Sequence, residues 1–349
     1  MRSTTTPKDQ EITMKAAVVD TFGGALRVGQ VDRPEPGPGQ VLVRIESSGL
    51  CHTDIHAAHG DWPVKPTLPL IPGHEGVGRV ETLGEGVTTL EPGDRVALPW
   101  LAHACGHCRY CVGGHETYCQ SPQYMGYTMN GGYAEYAVGY ASHVVRVPDA
   151  VSSLDAAPLT CAGVTTYAAL KSVAPQPTES VMVVGIGGLG HLGLQYGSVF
   201  GCRTIAVDVD DDKLALAEEL GADHVVDARG DLAAQVAEAG GADIALVTVP
   251  SPAVMASAHA ALNPRGRLVL VGLPADNSLT LPVFETVLSG ISVHGSLVGT
   301  RNDLAETFQL HAMGRTRVIA QTRRLEDVNE CFEEVLSGKV PARLVFDMT

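Results

Sequence analysis

Ser180-Val-Met-Val-Val-Gly185-Ile-Gly187-Gly188-Leu189-Gly190 runs from an apolar segment of strand length straight into a glycine-rich turn. Gly185 permits the tight turn, Gly187 lets backbone approach a pyrophosphate, and Gly190 lets a following helix pack on the strand, with Gly188 and Leu189 completing the loop. A lone G-x-G-x-x-G is weak evidence. Here a strand precedes it, a helical stretch over 189–200 follows, and Asp208 stands about 20 residues on, at the end of the next apolar run. That context predicts a dinucleotide with its pyrophosphate on a helix N-terminus. A carboxylate at Asp208 accepts hydrogen bonds from ribose hydroxyls and repels a 2′-phosphate, which favours NAD over NADP. The competing reading is a glycine-rich turn that binds nothing.

Outward from this turn, apolar runs at 180–184, 203–207, 224–226, 244–249 and 267–271 alternate with helical patterns such as 189–200 and 211–220. Strands alternating with helices of that length predict an α/β unit with a doubly wound parallel sheet. Before about Pro158 the rhythm differs. Short β-rich segments at 15–19, 41–45, 78–82 and 95–98 are punctuated by Pro34-Glu-Pro-Gly-Pro-Gly39 and Glu91-Pro-Gly-Asp94, which predicts a barrel-like or sandwich-like antiparallel unit. Helices are expected again over 303–313 and 325–336, and a closing strand over 342–347 rejoins the first unit. With 349 residues the chain exceeds what one core usually supports. The expected division is a discontinuous β-rich unit, 1–161 with 297–349, around a dinucleotide unit, 162–296.

Cys51-His-Thr-Asp-Ile-His56, Gly73-His74-Glu75 and Cys161 gather the thiolate and imidazole donors that Zn²⁺ prefers, and three protein ligands with a fourth position open is the pattern of a catalytic site. Cys105-Gly-His-Cys108-Arg-Tyr-Cys111, followed by Cys119, adds four thiols separated by turn-forming residues. Four sulfur ligands leave no open position, so this lobe is expected to be structural. An iron–sulfur cluster competes because it also uses C-x-x-C-x-x-C, although Cys119 is not followed by proline. Cys331, on an expected helix face, reads as a small core residue.

Lys+Arg 24 against Asp+Glu 39 gives a net charge of −15, which disfavours nucleic acid or an anionic membrane surface as partner. No segment approaches the roughly 20 apolar residues that span a bilayer. Residues 1–13 are polar and lack both an apolar signal core and an Arg-rich amphipathic pattern, so a loose leader and a cytoplasmic location are expected. Cysteines in that compartment serve as metal ligands rather than disulfides.

These motifs, in this order and together with Cys161-Ala-Gly-Val-Thr165, resemble the zinc-dependent alcohol dehydrogenases of the medium-chain dehydrogenase/reductase superfamily, most of all their tetrameric microbial branch. The resemblance covers nearly all of 14–347. It implies a GroES-like β-rich catalytic domain joined to a Rossmann cofactor domain, NAD, two Zn²⁺ per chain, and a homotetramer assembled as a dimer of dimers through strands near 291–295. The catalytic zinc would be held by Cys51, His74 and Cys161, with Glu75 behind it as a transient ligand and Asp54 orienting His74. The structural zinc would be held by Cys105, Cys108, Cys111 and Cys119.

By the same resemblance, the substrate proton leaves through Thr53 and a cofactor ribose hydroxyl to His56, imidazole being the side chain suited to the solvent end of a relay near neutral pH. His52 and Arg343 match groups set against the pyrophosphate, Lys213 a contact to the adenosine ribose, and Thr165 and Val271 the nicotinamide side. Trp62 and Trp100 would wall the substrate pocket. Ala58 stands where some members carry a larger aromatic residue, and Leu273 where others carry methionine. The implied reaction is reversible oxidation of primary alcohols, medium-chain or aromatic ones included, to aldehydes with hydride transfer to NAD. Dehydrogenation of secondary alcohols or polyols is the alternative; polyol enzymes often replace a zinc cysteine by glutamate, whereas this chain keeps Cys161. A fold retained for nucleotide sensing alone would have no use for Thr53 and His56 beside a full ligand set.

Overall fold

Every residue of the strand Ser180–Val184 is buried, as an unbroken apolar run covered on both faces requires. The computed structural model describes residues 13–274 and 277–349, and this strand lies within a six-stranded, wholly parallel sheet. Across the sheet the order is His224–Asp227, Arg203–Asp208, Ser180–Val184, Ala242–Val247, Leu262–Leu270 and Ser292–Gly295. Numbered along the chain, that is 3-2-1-4-5-6, the doubly wound order whose ligands bind where the winding reverses, beyond the carboxyl ends of the strands. Gly185 stands at that point. The strand expected over 244–249 ends early, at Val247, because the Thr248 hydroxyl turns back to donate to the carbonyls of Val184 and Gly185.

The β-rich remainder is built on a seven-stranded sheet around one long strand, Gln40–Leu50, with two two-stranded sheets beside it. The expectation of a strand over 41–45 is too short, because Glu46-Ser-Ser-Gly-Leu50 has the composition of a turn. Pairing overrides that preference: Ser47 and Ser48 are fully buried between the strands Gly76–Leu83 and Arg343–Asp347. The final strand thus returns to the first unit, antiparallel to Gln40–Leu50. The first half of the same long strand pairs with Tyr136–Tyr140. Of the leader expected over 1–13, residues 1–12 lie outside the described residues, and Thr13 already pairs with Asp32 in a strand.

That register positions the chemistry. Cys51 follows directly on Leu50, His74 and Glu75 directly precede Gly76, and Arg343 opens the last strand. The pairings Ser48 to Gly76 and Leu50 to Leu344 bring all four to one end of the sheet. Val77 and Ala97 of this sheet share one apolar cluster with Val164, Leu170, Val183 and Leu246 of the parallel-sheet unit. Each such buried side chain of Val or Leu size stabilises by about 1.5–3 kcal/mol, so the two sheets are held by common packing. Among the described residues no helix is long and apolar enough to cross a membrane.

Candidate active site

Cys51 caps the helix His52–His59, and Asp54 stands in that helix's first turn. Both oxygens of the buried Asp54 carboxylate are occupied. Oδ2 accepts from the Cys51 backbone N–H at 3.0 Å and the Tyr133 hydroxyl at 2.9 Å; Oδ1 accepts from His74 Nδ1 at 2.7 Å and the Gly73 N–H at 3.1 Å. His74 therefore carries a proton on Nδ1 and turns Nε2 toward Cys161 Sγ, 3.3 Å away. Cys161 comes from the π turn Leu159–Gly163, a local widening of the helical path immediately after Pro158.

Donor atoms of Cys51, His74, Glu75 and Cys161 lie within 4.8 Å of one another, all buried. Zn–S of about 2.3 Å and Zn–N of about 2.0 Å in a tetrahedron place sulfur and nitrogen roughly 3.5 Å apart, so the two thiols and the imidazole fit one zinc ion. Burial alone would lower the His74 pKa, but Asp54 and Cys51 outweigh it and push it up to about 10. Cys161 bonding, opposed by burial and aided by His74, holds the Cys51 thiol well below its ordinary range. Metal binding displaces the remaining protons from such donors. Glu75 pairs with Arg343 through Oε1, while its Oε2 is buried without a partner among the described residues.

Arg343 also reaches the glycine loop: a Cβ on Gly188 would sit 2.7 Å from its Cδ. Gly185 has φ of 90°, and a Cβ on Gly190 would sit 1.7 Å from the Gly185 carbonyl oxygen, so neither position admits a side chain. Gly187 faces open space. Asp208 Oδ2 accepts from Ile186 N–H at 2.7 Å, and Oδ1 from the N–H groups of Val209 and Asp210. Lys213 lies in the first turn of the next helix, Asp211–Glu219, and Val271 just beyond the strand Leu262–Leu270. Thr165 is buried one helical turn past Cys161, and His52 opens the helix after Cys51. Sequence reasoning missed His191, whose buried ring spans the Gly187 carbonyl at 3.1 Å and the Ile319 N–H at 3.2 Å.

His56 Nδ1 bonds Asp61, and its ring stacks on Trp62 with centroids 5.3 Å apart. Trp62 meets Trp100 edge-on, and Trp100 stands edge-on to His74 at 5.3 Å. Tyr124 and Tyr127 close the aromatic group, 4.7 and 5.6 Å from Trp100. Ala58 is fully buried in the core beside it, and Leu273 is 61% exposed. Asp61, Tyr124 and Tyr127 were not legible as site residues. The one local signal was Gly60, whose left-handed conformation ends the helix and turns Asp61 back toward His56.

In the lobe, the four sulfurs of Cys105, Cys108, Cys111 and Cys119 lie within 4.8 Å of one another, Cys111 being 3.9 Å from Cys105 and 3.5 Å from Cys108. Tetrahedral zinc sets its sulfurs about 3.8 Å apart. That spacing fits a single ion and is too close for thiolates spread around an iron–sulfur cluster. Backbone N–H groups of Cys108, Cys105 and Ser121 point at the sulfurs.

The family model described as "Alcohol dehydrogenase GroES-like domain" matches residues 37–149, and that described as "Zinc-binding dehydrogenase" matches 188–321. An alcohol dehydrogenase of Geobacillus stearothermophilus is 51% identical over 95% of this chain and 99% of its own length. The chain belongs to the zinc-dependent alcohol dehydrogenases of the medium-chain superfamily. Another member, from a Moraxella strain, is 47% identical over 96% of this chain and all of its own length. Among solved members, the alcohol dehydrogenase of Aeropyrum pernix superposes with a TM-score of 0.89 at 37% identity, covering 95% of this chain and 99% of that one. An acetophenone reductase of Geotrichum candidum, solved in complex with NAD, gives 0.87 at 29% identity, covering 97% and 98%. The GroES-like and Rossmann architecture of the family is the one described above.

Proposed function

We propose that this alcohol dehydrogenase oxidises primary alcohols reversibly to aldehydes, moving a hydride from the carbinol carbon to the nicotinamide of NAD and releasing one proton. The observation that carries this reading is the buried Cys51, His74 and Cys161 donor set, joined through Glu75 and Arg343 to the Gly185–Gly190 loop. Cys51, His74 and Cys161 would hold a zinc ion there, which would supply Lewis-acid chemistry of the kind that lowers the pKa of water to about 7. Asp54 holds His74 in the tautomer that presents Nε2. Thr53 takes the substrate proton at its hydroxyl and His56 receives it at Nε2, because Asp61 occupies Nδ1. Asp208 and Lys213 hold the adenosine ribose, His52, Gly187, Gly188, Leu189 and Arg343 the pyrophosphate, and Thr165 and Val271 the nicotinamide. The domain division 1–161 with 297–349 and 162–296 accords with this split of tasks.

The aromatic wall of Trp62, Trp100, Tyr124 and Tyr127 favours slender or flat substrates, and the small, fully buried Ala58 adds no bulk to that wall, which supports substrates of more than two carbons. The test is zinc per chain together with kcat/KM for NAD-linked oxidation of ethanol through hexanol, benzyl alcohol, 2-propanol and sorbitol. Two zincs and a preference for the longer or aromatic primary alcohols are expected. A steep fall after two carbons removes the pocket argument; one zinc and no turnover removes the active-site assignment.

The helix Val283–Ser289 leaves Val283, Phe284, Val287 and Leu288 each at least 70% exposed beside the sheet-edge strand Ser292–Gly295. Bare apolar surface next to an unpaired edge fits pairing with a second copy across a two-fold axis, and a homotetramer made of two such dimers. Sedimentation of Phe284→Asp, expected to yield smaller species, tests it. Free thiols reserved for metal accord with a cytoplasmic location.

A further inference from the structure

We propose that Tyr133 is a positioning residue for the catalytic metal, its hydroxyl setting the orientation of the His74 ring through Asp54. The proposal rests on the reading of Cys51, His74 and Cys161 as metal ligands. Tyr133 is completely buried, and its one hydroxyl hydrogen has two acceptors in reach, Asp54 Oδ2 at 2.9 Å and the Gly49 carbonyl at 3.4 Å. The nearer acceptor is charged and takes it, since a hydroxyl bond to a carboxylate is the stronger kind.

Two kinds of contact converge on the same ligand. The segment 131–133 grips the turn that leads into His74: Gly131 N–H donates to the Ile71 carbonyl, Gly132 N–H to Gly73, and Tyr133 N–H to Pro72, at 2.7 to 3.0 Å. The Tyr133 ring lies so close over Gly73 that a Cβ there would come within 2.4 Å of it. These contacts fix the backbone of His74. The ring orientation has a different source: Trp100 stands edge-on to the ring, and among the described residues Nδ1 is held by Asp54 Oδ1 alone. An ionised carboxylate offers about four acceptor sites, and Asp54 fills them with two backbone N–H groups, one imidazole and Tyr133. Without the hydroxyl, Oδ2 keeps a single donor and the carboxylate is freer to turn, carrying the imidazole with it. The ring of Tyr133 packs edge-on against Phe346, 5.0 Å away, and serves the core whether or not the hydroxyl is present.

Tyr133→Phe separates these roles. Metal release from the full-length protein to a chromogenic chelator is followed in wild type, Y133F, D54N, the Y133F/D54N double variant and F346L, with C161S marking the catalytic-site phase. Loss of a group that orients a metal ligand typically costs 10–100-fold in metal affinity, so Y133F should speed the catalytic phase about 10-fold and leave lobe zinc unchanged. In the D54N background the same change should have no further effect. Equal release from wild type and Y133F overturns the proposal. So does equal acceleration by F346L, which disturbs the ring and not the hydroxyl, or failure of Y133F to fold, since either makes Tyr133 a core residue only. A wild type with no C161S-sensitive phase would instead sink the metal-ligand reading itself.

Discussion

The Nδ1 atom of His56 lies 3.0 Å from both carboxylate oxygens of Asp61, which stands beyond the glycine that ends the helix carrying His56. An acceptor at Nδ1 fixes the imidazole tautomer and leaves Nε2 to receive a proton. Asp61→Ala should lower kcat about 10-fold, at the low end of what positioned proton transfer contributes, with KM for NAD unchanged. Steady-state kinetics decide it: a rise in KM alone would make Asp61 part of the cofactor site.

Asp208, proposed above to hold the ribose, also supports the glycine loop, because its Oδ2 accepts from Ile186 N–H. Asp208→Ser should therefore do two things at once. The ratio of kcat/KM for NADP over NAD should rise, since a 2′-phosphate no longer meets a carboxylate. Stability should fall by about 1–3 kcal/mol as a half-buried N–H loses its partner. Unchanged cofactor preference with reduced stability would leave Asp208 a structural role only.

Burial pushes His191 down to about 4, against the Gly187 carbonyl bond, which favours the protonated ring. In the unfolded chain it titrates near 6.5. The folded state thus binds fewer protons, and the stability tied to the neutral ring is full above about pH 6.5 and is lost as pH falls toward 4, at up to roughly 1.4 kcal/mol per unit. Denaturant unfolding between pH 7 and 4.5 should show that slope in wild type and a slope smaller by this amount in His191→Leu. The variant should also lose about 2–4 kcal/mol at pH 7, when the Gly187 carbonyl and Ile319 N–H are left unpaired. Identical slopes in both proteins would mean that His191 is not held neutral.

The four-cysteine lobe has little apolar packing of its own: Leu101, Ala104 and Cys119 are its buried apolar residues, and Val112 is 75% exposed. Its shape then depends on metal. Cys111→Ser should remove one zinc per chain and lower Tm by roughly 5 °C or more, with kcat kept below the transition. Loss of kcat at unchanged Tm would place the lobe in catalysis.

How far the sequence reaches follows from distance along the chain. Gly185, Gly187, Gly190 and Asp208 belong to one strand–turn–helix–strand unit, and the lobe cysteines to one short loop, so their spacing carries their geometry. Cys51, His74 and Cys161 lie far apart in the chain; their residue types mark them as zinc donors, and the resemblance to a family is what assigns all three to one ion. The end of the strand Gln40–Leu50 is not legible in sequence, because Ser47 and Ser48 have the character of turn residues until their two neighbouring strands are known.

The sequence by itself determined which residues can ligate metal, where the dinucleotide loop lies, and the alternation of elements that makes a doubly wound sheet. Residue type and local period suffice for those. Tertiary structure alone decided that Asp54 is shared by His74 and Tyr133, that Asp61 holds His56, and that Arg343 links Glu75 to the glycine loop. Each of these is a short directional contact whose existence depends on strand register and helix ends, which long-range pairing sets and no local pattern encodes.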